Sequence, residues 1–90
     1  MELSHTIAVL SALAQPTRYR CVAMLIEKGA SSAGDLASGL GVPANTMSSH
    51  LTILTHAGLV SSTRDGRHIV YRAKVESVTD LVETLKHLTV

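Results

Sequence analysis

Residues 45–60 read NTMSSHLTILTHAGLV, and this stretch decides how the rest of the chain is interpreted. Met47, Leu51 and Leu54 recur at helical spacing, so one side of the predicted helix is apolar. The other side carries only short polar side chains and histidine, at Asn45, Ser48, Ser49, Thr52 and His56. Surface helices usually carry Glu and Lys, because Ser, Thr and Asn compete with the helix for its own backbone. This polar face therefore costs helix stability.

Two interpretations of the polar face are open. It belongs either to a Ser/Thr-rich surface helix held by its apolar stripe, or to a helix that lies against a partner with its own donors and acceptors. No Asp, Glu, Lys or Arg occurs between Leu36 and Thr63, so hydroxyls, amides and imidazoles are the only polar side chains the segment can present.

A short helix is predicted directly before this one. Ser32 and Asp35 have the spacing of a capping box, which predicts a helix over residues 33–40 that ends near Gly41. The turn GLGVP (residues 39–43) then leads into a second helix over residues 45–57, closed by Gly58. Two short helices joined by a tight glycine-containing turn predict a helix-turn-helix arrangement.

Two further helices are predicted upstream. Leu3, Ile7, Leu10 and Ala14 recur on one face and predict a first helix that ends at residue 14 or 15. Proline is favoured in the first turn of a helix, so residues 16–28 form the second, and Gly29 ends it. Its apolar positions are Tyr19, Val22, Leu25 and Ile26.

Downstream, the period of the pattern changes from 3.6 to 2. The segments LVSSTR (residues 59–64) and RHIVYRA (residues 67–73) predict a hairpin turning at Asp65 and Gly66. An amphipathic helix over residues 75–88 follows. The prediction is a mainly α fold with a β-hairpin, in the order α-α-α-α-β-β-α, forming one winged helix-turn-helix domain over residues 1–90.

The composition restricts the class of protein. Ninety residues suit one small domain, and the apolar faces it cannot bury are expected to meet a partner. With two Tyr and no Trp or Phe there is no platform for stacking single-stranded bases. A net charge of +1 is too small to indicate nucleic acid by itself. One cysteine excludes an intramolecular disulfide, and no run suits a signal peptide or a bilayer span, so we expect a soluble, cytoplasmic protein.

Four stretches together resemble the ArsR/SmtB family of bacterial winged-helix repressors: ALAQPTRYR (residues 12–20), DLASGLGV (35–42), MSSHLTILTHAGLV (47–60) and RDGRHIVYR (64–72). The resemblance covers nearly the whole chain. It implies a dimeric, sequence-specific DNA-binding transcriptional repressor whose recognition helix begins at Asn45. Short side chains let such a helix approach the base edges in the major groove, which display donors and acceptors.

The resemblance also implies which residues contact DNA. On the recognition helix these are Asn45, Thr46, Ser48, Ser49, His50 and Thr52. His50 matches the family's His-Leu pair, and it is equally consistent with a partly buried histidine beneath the helix. On the hairpin they are Arg64, Arg67 and Arg72, which would bind backbone phosphates while the helix reads bases. Many relatives carry a glutamine where this chain has Ala44, so base preference does not transfer.

The first and last helices form the homodimer interface in this family. The corresponding apolar positions here are Leu3, Ile7, Leu10, Val78, Leu81, Val82 and Leu85. Two recognition helices about 34–36 Å apart would read an inverted repeat in double-stranded DNA.

Family members are released from DNA by a metal ion, a metalloid such as arsenite, or oxidation of thiols. This chain lacks the ligand motifs: SAGDL (residues 32–36) stands where metalloid-binding members have a cysteine pair. The remaining candidate ligands are Cys21, His5, Glu83 and His87, and Cys21 fits a small core residue better than a sensor. An effector that cannot be read from these residues, ligands beyond Val90, and repression without an effector all stay open.

Other functional classes are less consistent with the sequence. A winged helix that docks on another protein is the main alternative, although an arginine-bearing hairpin favours DNA. An enzyme is not expected, because the chain has no catalytic triad order, phosphate-binding loop, carboxylate pair or metal motif.

Overall fold

A computed structural model describes all 90 residues and confirms the mainly helical winged helix-turn-helix fold. Its helices are α1 (Leu3–Leu13), α2 (Pro16–Lys28), α3 (Ala33–Leu40), α4 (Ala44–His56) and α5 (Val75–Lys86). Its strands are β1 (Ser31–Ser32), β2 (Val60–Asp65) and β3 (His68–Ala73). No helix has the length and apolar character needed to cross a membrane.

Local signals account for most helix ends. Pro16 occupies the first turn of α2, and the Gln15 side chain accepts a hydrogen bond from the Arg18 amide. Ser32 Oγ accepts from the Asp35 amide at 3.1 Å and caps α3, which ends at Gly41 with φ 67°. That left-handed conformation favours glycine, so the tight turn between α3 and α4 depends on it.

The hairpin turns one residue later than the sequence predicts. Asp65 pairs with His68, so the two loop residues are Gly66 and Arg67, and the prediction of a turn at Asp65 and Gly66 is wrong. Gly66 has φ 63°, whereas no other residue type in the chain has a positive φ. A turn with positive φ only at its first central position requires glycine there. Arg67 therefore lies at the tip of the wing.

Strand β1 is absent from the predicted element order. It pairs with β3 through Ser31 opposite Tyr71 and Ser32 opposite Val70, which makes a three-stranded sheet in the order β1-β3-β2. Two serines have no hydrophobic periodicity, so only the partner strand defines this element. The pairing joins the α2–α3 connection to the wing.

The core lies beneath the helix-turn-helix. Met47, Leu51 and Leu54 from α4 are buried there, as their spacing predicts. From α2 the core takes Cys21, Val22 and Leu25, whereas Tyr19 and Ile26 are largely exposed. Only 15 of the 90 residues are buried, so much apolar surface on the outer helices has no cover within the chain.

Candidate nucleic-acid interface

The outer face of α4 is a row of exposed polar side chains. Because Met47, Leu51 and Leu54 point into the core, the residues on the opposite side of the helix face solvent. They are Asn45, Ser49, Thr52 and His56, spaced by three or four residues along the helix axis. Thr46 and Ser48 flank this row and are also exposed. The face is continuous over the length of α4.

Two hydroxyls of this face bond to the backbone of their own helix. Ser49 Oγ donates to the Asn45 carbonyl at 3.3 Å, and Thr52 Oγ1 donates to the Ser48 carbonyl at 3.0 Å. A hydroxyl in this arrangement keeps its acceptor lone pairs free. The face therefore presents hydroxyl acceptors together with the amide of Asn45, and this mixture can match groups on base edges.

His50 lies on the flank of α4 and is half-buried. Arg18 Nη1 lies 3.5 Å from His50 Nδ1, and because arginine only donates, Nδ1 is the acceptor. Arg18 Nε also donates to the Ala12 carbonyl at 2.7 Å, and Nη2 donates to the Ser11 carbonyl at 3.4 Å. Arg18 thus joins the last turn of α1 to α4. Nothing in the sequence pattern marks this role, because its partners are main-chain carbonyls and a distant histidine.

The three predicted arginines of the wing occupy different positions. Alternate strand residues share a face, so Arg64 lies on the face of β2 that also carries Ser62 and points toward α4. Arg67 lies at the tip of the wing. Arg72 lies on the opposite face, where its Nη1 donates to Thr63 Oγ1 at 2.9 Å. The structure brings Arg64 to the α4 side of the sheet and does not bring Arg72 there.

The predicted dimer residues divide into several groups. A groove of about 330 Å³ runs between α1 and α5 and is lined mainly by Leu3, Ile7, Leu10, Leu85 and Leu88. Val78 lines a separate apolar groove of about 130 Å³ against α2, and Val82 is about half exposed. Leu81 is only 6 % exposed and belongs to the core of its own chain, so it has little surface left for a partner.

The candidate metal ligands do not come together within one chain. His5 Nε2 lies 3.2 Å from the Ala57 carbonyl, and Glu83 Oε1 pairs with Lys86 Nζ at 3.2 Å. His87 is exposed at the end of α5, while Cys21 is fully buried. No three His, Cys, Asp or Glu side chains are placed to hold a metal ion. The residues of one chain therefore do not fit a metal or metalloid site.

Burial also disfavours the reactive, ionised form of the thiol. Desolvation raises the pKa of Cys21 to about 11, because the thiolate loses its hydration in the apolar core. A thiol that reacts readily is partly exposed and has a lowered pKa. Cys21 has the properties of a core residue.

Comparisons with known proteins identify the family. A family model described as a helix-turn-helix domain matches residues 13–63, from the end of α1 to within β2. A relative from Escherichia coli, the HTH-type transcriptional regulator YgaV, is 36 % identical over 81 residues, which are 90 % of this chain and 82 % of the relative.

Two solved structures have the same fold. An ArsR-like transcriptional regulator from Rhodococcus sp. has a TM-score of 0.88 and 31 % identity, over 97 % of this chain and 81 % of its own. The homodimeric winged helix-turn-helix DNA-binding domain Mb0332 from Mycobacterium bovis has a TM-score of 0.80 and 28 % identity, over 97 % and 80 % of the two chains. The chain belongs to the ArsR-like family of winged helix-turn-helix transcriptional regulators, which are DNA-binding proteins and not enzymes.

Proposed function

We propose that this protein is a homodimeric repressor that binds an inverted-repeat operator, with α4 in the major groove and the wing on the flanking backbone. The observation that carries the proposal is the exposed, uncharged polar row of α4 beside a wing that bears Arg64 and Arg67. An ordinary solvated helix has no need of such a row, which lowers helix propensity without improving the packing of the core.

The division of labour between α4 and the wing follows from their chemistry. A major groove about 12 Å wide admits one helix, and short side chains keep that helix close to the base edges. No Lys or Arg lies on α4 itself, so the permanent positive charge that attracts phosphates comes from arginines on the wing. Arg64 near the end of β2 and Arg67 within the hairpin turn supply that charge.

Dimerisation is supported by the uncovered apolar surface of α1 and α5. Ile7 is 56 % exposed and Leu3 is 74 % exposed, and both border the groove between the two helices. Exposed apolar patches of this kind on a small domain indicate a protein contact. The structural neighbour from Mycobacterium bovis is homodimeric, which is consistent with a second copy of this chain as the partner.

The chemistry of release from DNA is constrained by the same geometry. Thiol oxidation at Cys21 is disfavoured, because the side chain is buried and its pKa is raised to about 11. A metal or metalloid effector, which the family resemblance implies, would need ligands from both protomers. His5 lies on α1, Glu83 lies on α5 and His87 directly follows α5, and we assign these two helices to the dimer interface. Repression without an effector is the alternative.

Fluorescence anisotropy with labelled duplexes tests the proposal. The first probe is the DNA upstream of the protein's own gene, compared with a shuffled duplex of equal length and with wild type, Asn45→Ala and Ser49→Ala. We expect tight binding at two protomers per site, with both variants changing the ranking of single-base operator variants. Thr79→Ala serves as the matched control, because it removes an exposed hydroxyl from α5. Equal binding of both duplexes would contradict sequence-specific recognition.

A second measurement tests repression and release. In a reporter strain, the protein should lower transcription from its own promoter, and Asn45→Ala should relieve that effect. Zn(II), Cd(II), arsenite and a thiol oxidant are then added to the protein–DNA complex separately. Release by the oxidant that disappears in Cys21→Ser would overturn our assignment of Cys21 to the core. Increased transcription would contradict the repressor role.

A further inference from the structure

A small polar groove lies between the C-terminal half of α4 and the sheet. Its volume is about 240 Å³, and it is lined by Thr52, Thr55, His56, Ser62 and Tyr71. Tyr71 is its one large hydrophobic side chain, and the rest of the lining is hydroxyl and imidazole. The groove differs in this from the apolar grooves beside α5, and it belongs to the face that we assign to DNA.

The groove presents free hydrogen-bond donors. Thr52 Oγ1 and Thr55 Oγ1 use their protons on the Ser48 and Leu51 carbonyls, at 3.0 and 2.7 Å. The Ser62 hydroxyl, the Tyr71 hydroxyl and the His56 ring make no side-chain hydrogen bond within the chain and are open to solvent. Three side chains that can donate hydrogen bonds thus line one groove, and such donors can bind an anionic oxygen.

The charges around the groove favour an anion. No carboxylate lines it, and none lines the groove on the other side of His56, which is formed with α1. Of the ionisable groups nearby, Tyr71 lines the groove with His56, and Arg64 lies on the same face of the sheet. His5 and Arg18 bond to the carbonyls of Ala57 and Ser11, two residues that line the second groove beside His56. His56 is the last residue of α4. An anion bound beside His56 would therefore meet no carboxylate in the lining of either groove.

The position of the groove identifies that ligand. When α4 occupies a major groove and the wing lies on the flanking backbone, the backbone strand at the edge of that groove runs along the junction of the two elements. We propose that His56, Ser62 and Tyr71 form a seat for one phosphodiester of this strand, and that protonated His56 strengthens operator binding as the pH falls. The inference rests on the proposed function. It adds a pH-dependent phosphate contact that the family resemblance does not imply.

The first test compares operator affinity at pH 6 and pH 8 at constant ionic strength, because histidine changes its charge within this range. For the wild type we expect the affinity at pH 6 to gain about fivefold per protomer from the charged hydrogen bond. The salt dependence should also steepen by about 0.9 per protomer at pH 6, because one more phosphate is neutralised. His56→Gln should lose both effects, whereas His87→Gln, which removes an exposed histidine from the end of α5, should keep them.

The second test locates the phosphate. We use duplexes that each carry one neutral methylphosphonate, placed at successive backbone positions. At one position per half-site, the methylphosphonate should lower the affinity of the wild type and leave the affinity of His56→Gln unchanged. Tyr71→Phe, which removes only a hydroxyl, should reduce the loss at that same position. Free inorganic phosphate, added at matched ionic strength, is the other possible source of the anion. If phosphate competes with DNA for the wild type but not for His56→Gln, the seat accepts free phosphate as well as DNA.

The outcomes separate the two proposals. Tight operator binding with the same pH response and salt slope in wild type and His56→Gln would overturn the phosphate seat and leave the proposed function intact. Absence of DNA binding by every variant at both pH values would overturn both. Because His56 is exposed, the variant should fold, and circular dichroism at each pH checks this.

Discussion

Replacement of Arg18 is the sharpest test of how this fold positions its recognition helix. The guanidinium donates to the Ala12 carbonyl at 2.7 Å and, more weakly, to the Ser11 carbonyl at 3.4 Å, and it contacts His50 at 3.5 Å. A hydrogen bond that involves a charged group contributes about 1.5–3 kcal/mol to stability. Since only one of the three contacts is short and the side chain is half-buried, we expect Arg18→Ala to cost about 2–3 kcal/mol.

This loss is large relative to the stability of a small domain. A 90-residue domain is stable by about 5–13 kcal/mol, so a loss of that size lowers Tm by about 10–20 °C. Thermal and urea unfolding at equal protein concentrations measure it, because the apparent stability of a dimer depends on concentration. Arg18→Lys should recover only part of the stability, since lysine keeps the charge but lacks the planar fork.

Arg20→Ala is the matched control for this experiment. Arg20 lies two residues along α2, is exposed and has no hydrogen-bond or ion-pair partner, so its loss should cost less than about 0.5 kcal/mol. Equal effects of Arg18→Ala and Arg20→Ala on unfolding would refute the argument. So would full recovery of stability in Arg18→Lys, because a general charge effect would then explain the result.

Three other predictions concern the thiol, the dimer and the wing. Cys21 should react slowly with a thiol reagent at pH 8 in the folded protein. Burial raises the pKa of Cys21 from 9.0 to about 11, so the stability that depends on the neutral thiol should be complete below pH 9 and lost as the pH rises toward 11. Urea unfolding at a series of pH values measures this loss. Rapid modification of the folded protein would contradict this. Ile7→Glu should give monomers in analytical ultracentrifugation. Its circular dichroism spectrum should be unchanged, because the Ile7 side chain is 56 % exposed in one chain. A persistent dimer would place the interface elsewhere. Arg67→Ala should reduce the salt slope of DNA binding by about 0.9 per protomer, whereas Arg72→Ala should change it much less because Arg72 lies on the far face of the sheet. A larger effect of Arg72→Ala would show that the wing meets DNA with its other face.

Much of the fold could be predicted because its determinants are local. Helix α2 begins at Pro16 and ends before Gly29, and α3 begins after Ser32 and ends before Gly41. The spacing of Met47 and its apolar neighbours orients α4. Each of these signals acts within about one helical turn, so no knowledge of distant residues is needed. The candidate DNA face of α4 was identified in the same way.

The sequence by itself determined the helices, the wing and the polar face of α4, since backbone preference and hydrophobic periodicity are short-range properties. Only the tertiary structure decided which contacts form between distant residues. Arg18 meets His50 across 32 positions, β1 exists only because β3 pairs with it, and Arg64 and Arg72 lie on opposite faces of the sheet. The groove at His56 likewise requires α4 and two strands to meet. Such contacts depend on how whole elements pack against each other. The side-chain pattern along one element does not determine that packing.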